Sequence, residues 1–133
     1  MEDRYLFKAK HFEEWRIGNI VKEPSGLYIR DIKENVMASI DDESTICQCT
    51  GLKDKNGNLI WENDIMVAHL DDVYPEDETY IRILWYESGF CSKEKGSEDI
   101  SPIDKFDQEH FEVCGNIFDN TELLESEGEY DRE

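Results

Sequence analysis

The sequence predicts a mainly β fold of the β-rich α+β kind: a small, partly open SH3-like β-barrel with an N-terminal β-hairpin extension and short helices. Three observations lead there. Short apolar runs recur at period two, the spacing that alternates side chains between the two faces of a strand. Turn signatures such as Pro24-Ser25-Gly26, Asn56-Gly57 and Ser88-Gly89 separate those runs. Nothing approaches the ~18 consecutive apolar residues of a membrane-spanning helix. One domain over residues 1–124 fits the length, within which 1–45 can form a subdomain and 46–124 the barrel, with 125–133 as an acidic tail.

In chain order, Tyr5-Leu6-Phe7 reads as a partner strand for Trp15–Val21, which sets Trp15, Ile17 and Val21 on one face. Gly18 within it marks a bulge or a close backbone approach. Pro24-Ser25-Gly26 turns the chain into Leu27-Tyr28-Ile29. Further on come Ile46–Cys49, Leu59–Trp61 and Ile65–Ala68. Asn56-Gly57 suits a type I′ reversal, because both central residues then need positive φ. Asn63 is expected in the left-handed region at the sharp turn into Ile65. Asp71–Thr79, with five acids and no base, reads as a solvated loop. Tyr80–Tyr86 is the clearest strand, with Ile81, Ile83 and Trp85 on one side. Phe90-Cys91 and His110–Cys114 follow as strands, with a polar, irregular Glu94–Asp104 between them. Asp119 and Glu122 have the spacing of a capping box for one or two helical turns. Ser126–Glu133 cannot offset the entropy of ordering and is expected to stay disordered.

Hydrophobic residues are only 38% of the chain, so three Trp, six Tyr and six Phe must supply much of the core. Each buries on the order of 150 to 250 Å², which makes Trp15, Trp61 and Trp85 the expected anchors. The net charge of −19 is uneven: residues 1–33 hold six acids against seven bases, and 34–133 hold twenty-seven against seven. Such a field repels phosphate backbones and anionic membranes, so neither direct nucleic-acid binding nor membrane attachment is expected. A basic protein partner would be attracted. Met1–Lys10 lacks the apolar run of a secretory leader, and four cysteines in such a chain are expected to be reduced thiols.

Gln48-Cys49-Thr50-Gly51-Leu52-Lys53-Asp54-Lys55-Asn56-Gly57, followed by Ile60-Trp61-Glu62-Asn63-Asp64-Ile65, resembles the central signature of the YopX family of phages and prophages. Trp15 with Gly18 is similar to the family's early Trp and Gly pair. Gly115-Asn116-Ile117-Phe118 with Glu122-Leu123-Leu124 is similar to its closing motif, so the resemblance covers about residues 4–124. Two positions depart from the pattern: Cys49 stands where the family usually has an aromatic residue, and Asn63 where it usually has Gly. The resemblance implies phage or prophage origin, action in the host cytoplasm, and self-association. It supplies no catalytic residues, and the motif positions Trp15, Gly18, Thr50, Gly51, Leu52, Asp54, Gly57, Glu62, Asp64, Gly115, Asn116 and Ile117 read as structural.

Cys47, Cys49, Cys91 and Cys114 with His69 and His110 have the ligand types of a zinc site, yet no CxxC knuckle is present and small buried thiols explain the pattern better. Neither metal nor cofactor is expected. Asp54, Glu62 and Asp64 flank two successive turns and can serve either acid–base chemistry or turn capping, of which capping is the commoner use. The chain contains no GxSxG elbow, Walker loop or dinucleotide fingerprint. Trp15, Trp61, Trp85, Tyr86 and Phe118 are candidates for a recognition groove. The leading expectation is a non-enzymatic phage accessory module that self-associates and binds a host or phage protein. An acidic nucleic-acid mimic that blocks a host DNA-binding protein, and a carboxylate-dependent enzyme, are the alternatives.

Overall fold

The computed structural model describes residues 5–70, 73–74 and 76–125. The tail expectation for Ser126–Glu133 lies outside them. Strands dominate, arranged as two antiparallel sheets that do not close into a barrel. The chain divides into two compact units after Gly51.

In the first unit, β1 (Phe7–His11), β2 (Glu14–Glu23), β3 (Gly26–Asp31) and β4 (Val36–Ser39) form an antiparallel meander. The start of β5 (Cys47–Lys53) lies beside β1, giving the order β4-β3-β2-β1-β5. Register follows from packing. Ile20 pairs with Ile29 and Ile29 with Ala38, so these residues share a face with buried Ala9 and are covered by Ile40 and Ile46. The intervening segment is tied down where the Lys10 amide donates to Thr45 Oγ1 at 3.1 Å. At Gly18 the expected close approach is present: a Cβ there would lie 1.8 Å from the Arg30 carbonyl oxygen. The face expected to bury Ile17 is the open one. Ile17 is exposed, and half-buried Trp15 is sheltered by the Lys8 and Lys10 ammonium groups, 4.6 and 5.3 Å from its ring centre.

The second unit takes the end of β5, which pairs with β6 (Leu59–Trp61). Its larger sheet has the order β10-β9-β8-β7-β11, from β7 (Asp64–Ala68), β8 (Thr79–Tyr86), β9 (Gly89–Glu94), β10 (Ile100–Pro102) and β11 (Glu112–Asn116). Every residue of β7 is buried, as befits a strand flanked on both sides. The core gathers Ile60, Met66, Ala68, Ile81, Ile83 and Phe111, with Leu52, Ile103 and Val113 at its margin. No helix among the described residues is long and apolar enough to cross a membrane.

Several expectations are corrected. Trp61 is buried as expected, but Trp85 is 50% exposed, because its pairing with Phe90 sits one step from the β8–β9 reversal, beyond the core. It packs edge-on against Phe90 instead, 4.9 Å between centres. At Asn56-Gly57 only Gly57 has positive φ, so the reversal is not type I′. The two-residue turn with both central φ positive is Phe12-Glu13, between β1 and β2. Asp119 does not cap the final 3-10 turn, Thr121–Leu124, whose preceding residue is Asn120. The capping box belongs to Asp104 and Asp107 on α1 (Lys105–His110), which overlaps the stretch expected to open a strand.

Two outcomes follow from the backbone. Gly18→Ala forces β2 and β3 apart and should cost about 3 kcal/mol, read as a lower urea midpoint at unchanged slope. Replacing Phe12-Glu13 by Asn-Gly removes the left-handed penalty on two ordinary residues and should raise stability by roughly 1 to 2 kcal/mol in the same assay.

Candidate functional site

The most distinctive sequence segment is built as architecture. In β5, Thr50 is half-buried, Gly51 has a φ of 83° and Leu52 packs against the core. Asp54, buried, then closes the reversal: its Oδ1 accepts the Asn56 and Asn58 amides at 2.9 and 2.8 Å, and its Oδ2 accepts the Val113 amide of β11 at 2.8 Å. Gly57, at φ 85°, donates to the Asp54 carbonyl. Burial works to raise the Asp54 pKa, but the three amide bonds together outweigh it and hold the carboxyl below its ordinary value.

The next turn repeats the device. Asp64 is 2% exposed and accepts the Trp61 amide at 2.8 Å, while Glu62 is half-buried beside it in the chain. Asn63 has the expected left-handed φ, 73°. Its amide donates to Ile83, its carbonyl accepts from Ile117, and its Oδ1 accepts from Arg82 Nη2 at 3.3 Å. The closing motif therefore docks on the central one through Ile117. Asn116 Oδ1 accepts the Phe118 and Asp119 amides, both at 2.9 Å. Gly115 leaves room for Asn120, whose Oδ1 would stand 2.4 Å from a Cβ at that position.

In the first unit, the Trp15–Gly18 motif frames a charge cluster. Arg16 Nη1 donates to Asp31 Oδ2 at 3.2 Å and to Glu34, and Asp31 Oδ1 accepts the Lys33 and Glu34 amides. The Glu34 amide is the largest influence holding the Asp31 pKa low, ahead of the opposing effect of burial. A shallow pocket of about 370 Å³ lies over this cluster, where Arg16 pairs with Asp31 and Glu34 through Nη1 while its Nε is buried without a hydrogen-bond partner among the described residues.

A groove of about 330 Å³ in the second unit has a different character. The carboxylates of Glu94, Asp99, Asp104 and Asp107 line it, with the hydroxyls of Ser92 and Ser97 and the apolar surfaces of Ile81, Phe106 and Phe111. None of the described residues lining it is basic. Asp104 and Asp107 are fixed by their reciprocal capping bonds, at 2.9 and 3.2 Å. Burial, reinforced by the neighbouring Asp104 charge, pushes the Asp107 pKa up. Phe106, 49% exposed, is braced by stacking on His110 at 4.1 Å. Sequence reasoning missed this groove, although the Asp104-x-x-Asp107 spacing that builds its helical side was visible.

Of the proposed recognition aromatics, Trp61 is buried, Trp15 and Phe118 are half-buried, and Trp85 and Tyr86 are exposed. Cys47, Cys49 and Cys91 are buried free thiols, and Cys114 is exposed. Among the described residues no group of three or more His, Cys, Asp or Glu side chains is arranged to hold a metal ion.

The two linked turn motifs and the early Trp and Gly pair make this a β-rich protein of a recognisable class. A family model described as YopX protein matches residues 7–125, and the chain belongs to that family. Among solved structures it is similar to protein EF1440 from Enterococcus faecalis, at 26% identity and a TM-score of 0.46, covering 80% of this chain and 74% of that one. No curated protein matches it.

Asp54→Ala strips the acceptor from three amides and should cost about 3 kcal/mol. A carboxyl whose pKa is lowered on folding stabilises above its unfolded value, near 3.9, and loses that contribution as pH falls through the folded value. The stability gap between wild type and Asp54→Asn should therefore be full at neutral pH and narrow below about pH 4, read by urea titration at each pH.

Proposed function

We propose that this chain is a non-enzymatic phage or prophage accessory protein: a self-associating protein-binding module, acting in the host cytoplasm, whose acidic groove takes a basic segment of its partner. The observation that carries this reading is the gathering of Glu94, Asp99, Asp104 and Asp107 around exposed Phe106 in one groove. Carboxylates give Lys and Arg charge-assisted hydrogen bonds, and a phenyl face adds a cation–π contribution. By contrast, Asp54 and Asp64, the carboxylates first considered for acid–base chemistry, accept backbone amides that close turns. The overall charge of −19 favours encounter with a basic surface and disfavours a nucleic acid.

Calorimetric titration with a Lys/Arg-rich peptide tests the reading. Binding should weaken with salt and fall about tenfold or more in the double variant Glu94→Gln/Asp99→Asn, while a neutral peptide of equal length does not bind. A bound cation should lower the raised Asp107 pKa, so affinity increases as pH climbs through that value and protons are released, seen as heats that differ between buffers. No binding, or binding indifferent to the two substitutions, overturns the proposal.

A further inference from the structure

We infer that Arg82 and Lys93, side by side on β8 and β9, form a binding site for the phosphate group of a small ligand. This site is separate from the acidic groove. Side chains alternate along a strand, and Ile81, Ser92 and Glu94 line the groove, so Arg82 and Lys93 stand on the opposite face of the sheet. They are direct partners in the β8–β9 register, which sets their Cβ atoms about 5 Å apart. Both are half-buried. Like charges placed opposite each other repel, and partial burial strengthens the repulsion by lowering the local dielectric. The sequence supplies 33 acids against 14 bases, yet among the described residues no carboxylate pairs with Arg82, Lys93 or the neighbouring Lys95. Arg82 Nη2 donates to the neutral Asn63 Oδ1 at 3.3 Å, and Arg82 Nε is buried without a hydrogen-bond partner among the described residues. Lys95 sits over the Tyr80 ring, 5.3 Å from its centre, and adds a third positive charge. Two acids of the same face are engaged elsewhere: Glu78 accepts the Tyr80 hydroxyl at 2.7 Å, and Glu112 pairs with Lys55 at 3.5 Å.

Charge selects the ligand. The pair is doubly positive, and a phosphate group at neutral pH carries about −1.5 to −2, where a carboxylate carries a single charge. Its several oxygens can accept from the planar guanidinium and from the ammonium together. A nucleic-acid backbone would have to run on over the surface of a chain of charge −19, whereas a small ligand stays within a Debye length, about 8 Å, of the two cations. Beyond the pair, the same face continues through Leu84, opposite Cys91, to exposed Tyr86, opposite Gly89. A Cβ at Gly89 would meet nothing within 4 Å, which leaves open space beside Tyr86 for the body of a phosphate ester.

Calorimetric titration of the full chain in low-salt, phosphate-free buffer tests the inference, with sodium phosphate and a nucleoside monophosphate as probes. At least one should bind, weaken with added salt, and lose about tenfold or more in affinity in Lys93→Gln and in Arg82→Gln, with circular dichroism unchanged. Should Arg82→Gln fail to fold, Lys93→Gln carries the test. Arg30→Gln, which removes an exposed cation of the first unit, should leave the affinity as it is. Inorganic phosphate binding at least as tightly as the nucleotide assigns the free anion; tighter binding of the nucleotide assigns an ester, and Tyr86→Ala should then erase the difference. Binding of neither probe at about 10 mM, acetate binding as tightly as phosphate, or an affinity indifferent to both substitutions overturns the inference.

Discussion

Three amides from two stretches of chain meet on the Asp54 carboxylate, and much of the second unit follows from that meeting. A buried carboxylate costs too much to leave unpaired, and each charge-assisted bond it accepts is stronger than a neutral one. The β5–β6 reversal and the start of β11 are thereby held by one side chain, which fixes β11 against β7. Asp31 does the same in the first unit, where two amides and Arg16 share it. In a chain with a modest apolar supply, acids spent as internal acceptors provide order that packing alone would otherwise have to supply.

The β class, the strands around Trp15, Trp61 and Tyr80, and the left-handed turn at Asn63 were legible because each rests on local chemistry: alternation, or a φ that few residues tolerate. Burial was less legible. Period two assigns Trp85 to the face of Ile81 and Ile83 correctly, but cannot tell that the sheet ends before the core covers it. The spacing at Asp119 and Glu122 matches a capping box, yet the box forms at Asp104 and Asp107, since several acid pairs share that spacing and only tertiary context chooses among them. The strained Phe12-Glu13 turn violates local preference altogether, and a sequence argument built on preference passes over it. The groove was missed for a related reason: its carboxylates come from β9, the connection to β10 and α1, and no linear motif unites them.

Acidity in this protein thus has two structural uses. Some carboxylates are consumed at reversals, where their pKa values are lowered by amides. Others line the groove, where Asp104 and Asp107 accept each other's amides and Asp107 is held with a raised proton affinity by burial and by its neighbour. The opposite directions of the Asp54 and Asp107 shifts mark the difference between a carboxylate already supplied with donors and one whose local environment penalises its charge.

Asn63 carries a wider implication. Its backbone conformation, at φ 73°, is one that glycine would adopt freely. The asparagine side chain does more than tolerate that conformation: it accepts from Arg82 on the neighbouring part of β8. Arg82 Nε is buried without a hydrogen-bond partner among the described residues, so the contact from Nη2 to Asn63 matters to the guanidinium. A glycine at 63 would preserve the turn and remove that acceptor. The residue at the turn therefore bears on what the adjacent strand can carry, because Asn63 supplies Arg82 with an acceptor that glycine lacks.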